Sequence, residues 1–102
     1  MIKTEDIRKL EADTLSVVER QMKKPMPASD KAELDNVVNF LCGVIESKEE
    51  NAKYGYAGEE TVRGFLSKVY YSHPKMNPRM TGNGMFRDMF QLLGSAAQYY
   101  KI

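Results

Sequence analysis

The stretch Leu34-Asp35-Asn36-Val37-Val38-Asn39-Phe40-Leu41-Cys42-Gly43-Val44-Ile45 decides the fold. Leu34, Val37, Val38, Leu41, Val44 and Ile45 recur at three- and four-residue intervals, the period that stacks side chains on one face of an α-helix. Phe40 and Cys42 widen that stripe, so the helix has apolar surface for more than one neighbour. Ser29 and Asp30 stand where short polar side chains cap a helix. A central helix over residues 30–48 is expected.

Working towards the N-terminus, Pro25 and Pro27 separate this helix from an earlier one, because proline lacks a backbone donor and disfavours helical geometry before it. Ile7, Leu10, Thr14, Val17, Val18 and Met22 draw a second stripe, with Thr4 as cap and Glu5 and Asp6 at the positive end of the helix dipole. That predicts a helix over residues 4–24. Towards the C-terminus, Glu46-Ser47-Lys48-Glu49-Glu50-Asn51 ends the apolar pattern, and Gly55 and Gly58 mark a connection. Val62, Phe65, Leu66, Val69 and Tyr70 set a third helix at 59–71, stopped by Ser72-His73-Pro74. Gly64 within it is read as permitting a close helix crossing. Phe86, Met89, Phe90, Leu93, Ala96, Ala97 and Tyr100 set a last helix at 85–100. Its Gly94-Ser95-Ala96-Ala97 run is a smooth patch suited to close packing by another helix, including one from a second copy. The expectation is all-α: a compact single-domain bundle of about four helices spanning residues 1–102.

Composition agrees with a globular chain: 42% hydrophobic and 28% charged residues in 102. The net charge of +1 hides an asymmetry. Residues 1–52 hold 8 Lys+Arg against 11 Asp+Glu, a balance of −3, and residues 53–102 hold 7 against 3, a balance of +4. Such bipolarity steers partners. Cys42 is the only cysteine, so no internal disulfide forms, and a buried thiol in a reducing cytoplasm is expected. The opening Met1-Ile2-Lys3-Thr4-Glu5-Asp6 has no leader pattern and no apolar run approaches the roughly 18 residues of a membrane span.

Catalytic and metal chemistry find no support. One histidine and one cysteine on different elements cannot supply a zinc site without recruiting carboxylates for most ligands. No serine sits in a strand–turn–helix elbow, and Gly82-Asn83-Gly84 lacks the strand and lysine-threonine of a nucleotide fingerprint. No enzyme, cofactor or metal is therefore expected.

The segment from His73 to Arg87 is the candidate site. His73, Lys75, Arg79 and Arg87 surround Gly82-Asn83-Gly84 just before a helix N-terminus, where free amides and cations suit an anion. Met76 and Met80, if exposed, would add adaptable apolar contact area beside the cations. Asn83 would cap the last helix, and Tyr71 belongs to one of three close tyrosine pairs in which one ring enters the core while the other faces out. A protein-interaction module is the first expectation: an inhibitor, adaptor or assembly factor, as small bacterial and phage accessory proteins are, docking on another protein and capable of homodimerisation. The alternative is a nucleic-acid- or phosphate-binding protein using the same basic segment and its tyrosines. Against that alternative, the sequence pI of about 7.8 is far from strongly basic.

Overall fold

Apolar residues at helical spacing have to find one another, and three long helices do so here. The computed structural model describes residues 2–77 and 84–102, and among them five α-helices and two 3-10 turns. These are α1 (Thr4–Met22), α2 (Ala28–Glu46), α3 (Lys48–Tyr54), α4 (Val62–Ser72) and α5 (Gly84–Tyr100), with 3-10 turns at Tyr56–Gly58 and Pro74–Met76. The all-α expectation holds; the count is five helices rather than four. Helices α1, α2 and α5 pack on each other in pairs, α4 lies against α5, and α3 joins the end of α2 to the turn before α4. One apolar cluster runs through the molecule, and the α2 stripe supplies its centre: Leu34, Val37, Val38 and Leu41 have no exposed surface.

Helix α1 buries Ile7, Leu10 and Thr14. The Thr14 hydroxyl, fully enclosed, donates to the Leu10 carbonyl at 2.7 Å, so a polar residue sits in the core without an unmet group. The stripe does not last to the end of the helix. Met22 is 57% exposed, and Lys23 turns the chain into the left-handed region at φ 57°. The N-terminal cap also differs from the expected one. Thr4 is already helical, Lys3 holds the cap position, and the Asp6 carboxylate accepts from the Lys3 backbone N–H at 2.9 Å.

Helix α3 was not anticipated, because it carries no buried residue. Polar contacts define it instead. Ser47 ends α2 and caps α3, its hydroxyl accepting from the Glu50 N–H at 3.1 Å. The Asn51 side-chain amide reaches back to three carbonyls at the end of α2, those of Val44 (3.1 Å), Ile45 (3.0 Å) and Ser47 (2.7 Å). The Val44 and Ser47 carbonyls also accept backbone N–H groups, from Ser47 at 3.3 Å and Asn51 at 3.0 Å, so the Asn51 amide supplements the sparse donors at this helix end. Gly55 then closes α3 at φ 74°, a conformation that suits glycine.

Helix α4 is capped by Thr61, whose hydroxyl accepts from the Gly64 N–H at 3.0 Å. Gly64 serves this turn: a Cβ there would first meet the folded-over Glu59 carboxylate at 2.7 Å and the Thr61 hydroxyl at 3.0 Å. The smooth patch of α5 is partly used up by the core, since Ala96 and Ala97 are buried; at Gly94 a Cβ would meet nothing within 4 Å.

A polar seam runs along the α1–α2 contact. Arg8 lies 3.5 Å from Asp35 and 3.9 Å from Glu11, and donates to the Asn39 side chain at 2.7 Å. Burial, reinforced by Asp35 beside it, holds the Glu11 carboxyl above the ordinary value of 4.5, with Arg8 opposing. A carboxyl whose folded pKa is raised favours the folded state below the unfolded value, and that contribution is lost as pH rises through the folded value. Glu11→Gln should therefore raise the melting temperature at pH 7, and the gain should shrink as pH falls through the raised folded value and level off below 4.5. Melting curves of both proteins from pH 3 to 8 check this; a constant offset across the range would mean that Glu11 ionisation is not what costs stability.

Candidate functional site

The turn that follows α4 places His73 first. Its backbone is extended, Pro74 starts a 3-10 turn, and the imidazole caps that turn by accepting from the Lys75 N–H through Nδ1 at 3.0 Å. With Nδ1 accepting, the proton of the neutral ring resides on Nε2, which faces the Glu50 carboxylate at 3.1 Å. The ring is wedged between Phe40 of α2, at 4.9 Å between centroids, and Tyr54 of α3, at 5.7 Å. Both nitrogens are committed. His73 ties α2, α3 and the 3-10 turn together and offers no free nitrogen to a ligand.

The neighbouring residues of the basic segment separate. Met76 is 3% exposed and belongs to the core, so it adds no contact surface. Lys75 stands with its ammonium 5.1 Å from the centre of the Phe86 ring. Arg79, Met80 and Asn83 lie outside the described residues. Arg87, on the first turns of α5, reaches Tyr70 of α4: its Nη2 donates to the phenol oxygen at 3.0 Å and its guanidinium carbon lies 5.8 Å from the ring centre. The Arg87 Nε is buried with no hydrogen-bond partner among the described residues. Tyr71, the next residue, is 83% exposed.

Tyr70 and Tyr71 form the ridge between two clefts. One, of about 570 Å³, runs below them past His73, Met76 and Arg87. The other, of about 500 Å³, lies between α4 and α5 and is bordered by Arg63, Ser67, Phe90, Gln91, Gly94 and Gln98. The local reason for this groove is sequence spacing. Arg63, Ser67, Tyr70 and Tyr71 share one face of α4, and Arg87, Gln91, Gly94 and Gln98 share one face of α5. Gly94 opens the floor because it brings no side chain. Arg63 is held by its Nε donating to the Ile102 carbonyl at 3.2 Å. Gln91 donates to the Tyr70 hydroxyl at 3.1 Å, alongside Arg87. No carboxylate lines either cleft among the described residues.

The structure thus joins four of the expected residues, Tyr71, His73, Met76 and Arg87, around one cleft, and adds Arg63, Gln91 and Gly94 from a second that the sequence reading missed. A usable signal existed: polar residues at helical spacing on the faces of α4 and α5 that flank their apolar stripes.

The other tyrosines are divided as pairing suggests. Tyr56 is buried and donates to the Ser72 hydroxyl at 2.9 Å, and burial pushes its phenol pKa up. Tyr99 is 61% exposed on the α1 side of α5. Cys42 is buried, and burial pushes its thiol up as well, keeping it protonated and unreactive. Among the described residues no group of three or more His, Cys, Asp or Glu side chains converges as a metal site, and no helix is long and apolar enough to cross a membrane. No protein-family model, curated protein or solved structure matches this chain.

Proposed function

We propose that this chain is a non-enzymatic interaction module that docks on a partner protein through the α4–α5 face. The observation that carries the reading is Tyr71, a large ring 83% exposed on the ridge between two adjoining clefts. A rigid aromatic ring flanked by concave surface is the kind of group that dominates interface energetics. The groove floor supports the same reading, since the open space at Gly94 admits close approach of another backbone. An enzymatic role has less to stand on: His73, the one histidine, spends both ring nitrogens on structure.

The test is affinity capture from lysate with wild-type and Tyr71→Ser protein, each with and without nuclease. A defined protein retained by the wild type in both conditions and lost from Tyr71→Ser supports docking through this face. Retention by both variants would move the interface elsewhere. Material lost on nuclease treatment would favour nucleic acid, with the Arg87 guanidinium beside the Tyr70 ring as the platform for a base. Among the described residues Tyr71 makes no hydrogen bond and touches Tyr70 only edge-on at 5.1 Å, so its replacement should leave the melting temperature within about 2 °C of wild type.

A further inference from the structure

We infer that the partner segment lies across the α4–α5 groove and the adjoining cleft and is a short acidic one, with carboxylate side chains that meet Arg63 in the first and Arg87 in the second around an apolar anchor that packs on Tyr71 and Phe90. This rests on the docking proposal and adds the chemistry of the partner.

Three observations carry it. The first is a surplus of donors. Among the described residues Arg87 Nε is enclosed and unpartnered, and the Tyr70 oxygen accepts from both Arg87 and Gln91, which leaves its own proton for a third group. Buried donors without acceptors are costly, and an arriving carboxylate would satisfy them with charge-assisted bonds. The second is charge complementarity. The two clefts contain Arg63 and Arg87 and no acidic side chain among the described residues, while Glu59 is turned away to Lys68 at 3.7 Å. The third is dimension. From Arg87 to Gln98 the α5 wall extends roughly 17 Å at 1.5 Å per residue, the length of a helical segment of about eleven residues.

A polypeptide fits better than a nucleic acid strand. A phosphate chain needs a track of cations, and here Lys68 is paired with Glu59 and Lys75 is placed over Phe86. On this face Tyr71 is the one largely exposed ring among the described residues, a single stacking platform where strand binding uses several.

The experiment is a selection of random twelve-residue peptides displayed on phage against the whole protein, counter-selected on Arg63→Gln/Arg87→Gln. Enriched peptides are then synthesised and their affinities measured at low and high salt. The expected result is enrichment of sequences with Asp or Glu flanking an apolar residue, binding about ten-fold or more weaker to the double variant and weaker at high salt. Gly94→Leu, whose Cβ would enter open space, should abolish binding as well, with a melting curve to check that the variant is folded. Peptides that require Tyr71 yet carry no carboxylates would overturn the acidic partner and leave docking standing. Peptides indifferent to Tyr71, Gly94 and both arginines, or none enriched, would overturn both. If a fluorescent oligothymidylate binds more tightly than any selected peptide and depends on Tyr71, the groove belongs to nucleic acid. Arg63→Gln alone guards against a folding defect in the double variant, since Arg87 also braces Tyr70.

Discussion

Phe65→Ala is expected to cost about 3–5 kcal/mol, a large share of the roughly 5–15 kcal/mol that holds a domain of this size together. Phe65 is 1% exposed and is the largest of the fully enclosed side chains. Its ring meets that of Tyr56 edge-on at 6.0 Å, and Tyr56 is itself 2% exposed. The loss therefore has two parts, the transfer of the ring and a cavity beneath a 3-10 turn. Tyr56 is tethered to Ser72, which stops it from collapsing into the space. Thermal melts should show a fall of roughly 15 °C or more. A cost below about 1.5 kcal/mol would mean that the site closes readily, and that the turn before α4 is not rigidly placed.

Asn51→Leu is expected to cost about 2–3 kcal/mol, although Asn51 lies in no apolar stripe. The replacement is close in size but leaves the carbonyls of Val44, Ile45 and Ser47 without their shared donor. Asn51→Asp is the sharper control. A carboxylate has the same shape, no proton to give, and a negative charge set against three oxygens. Its loss at pH 7 should equal or exceed that of leucine. Urea unfolding of the two variants decides the matter, and full tolerance of aspartate would mean that water already serves those carbonyls.

The contrast between these two residues marks what was legible in the sequence. Phe65 announced itself through the spacing of Val62, Phe65, Leu66 and Val69, because burial of a helix face leaves a period in the chain. The same period exposed the α2 and α5 stripes. Asn51 left no such trace. It acts through hydrogen bonds to residues four to seven positions back, and α3 as a whole buries nothing that would repeat. Met22 was misplaced for the opposite reason: periodicity continues to the end of α1, but the neighbours do not.

The candidate site was read less completely. Charge in a sequence shows how many cations a segment has and not what they are bound to. His73 looked available and is committed to Glu50 and the Lys75 amide; Lys75 looked free and covers Phe86. Arg63 looked remote from Arg87, yet the packing of α4 on α5 brings them to two adjoining clefts that share the Tyr70 and Tyr71 ridge. Tyr71 and Arg87 were visible as members of the cluster, but the donor surplus between them exists only once Tyr70 has been placed.

Helix α5 touches α1, α2 and α4, and it is the last of the five to be made. During synthesis α1 and α2 emerge first and can pair as a local hairpin, but the third wall of their core does not yet exist. At about 5–20 residues per second that wall arrives several seconds later. Through that interval Leu34, Val37 and Leu41 have only α1 to cover them, so the nascent chain presents its greasiest surface when it is half made. Chaperone capture and aggregation of truncated chains should consequently concentrate on α2, and release should coincide with the emergence of Phe90, Leu93 and Ala97 from the ribosome.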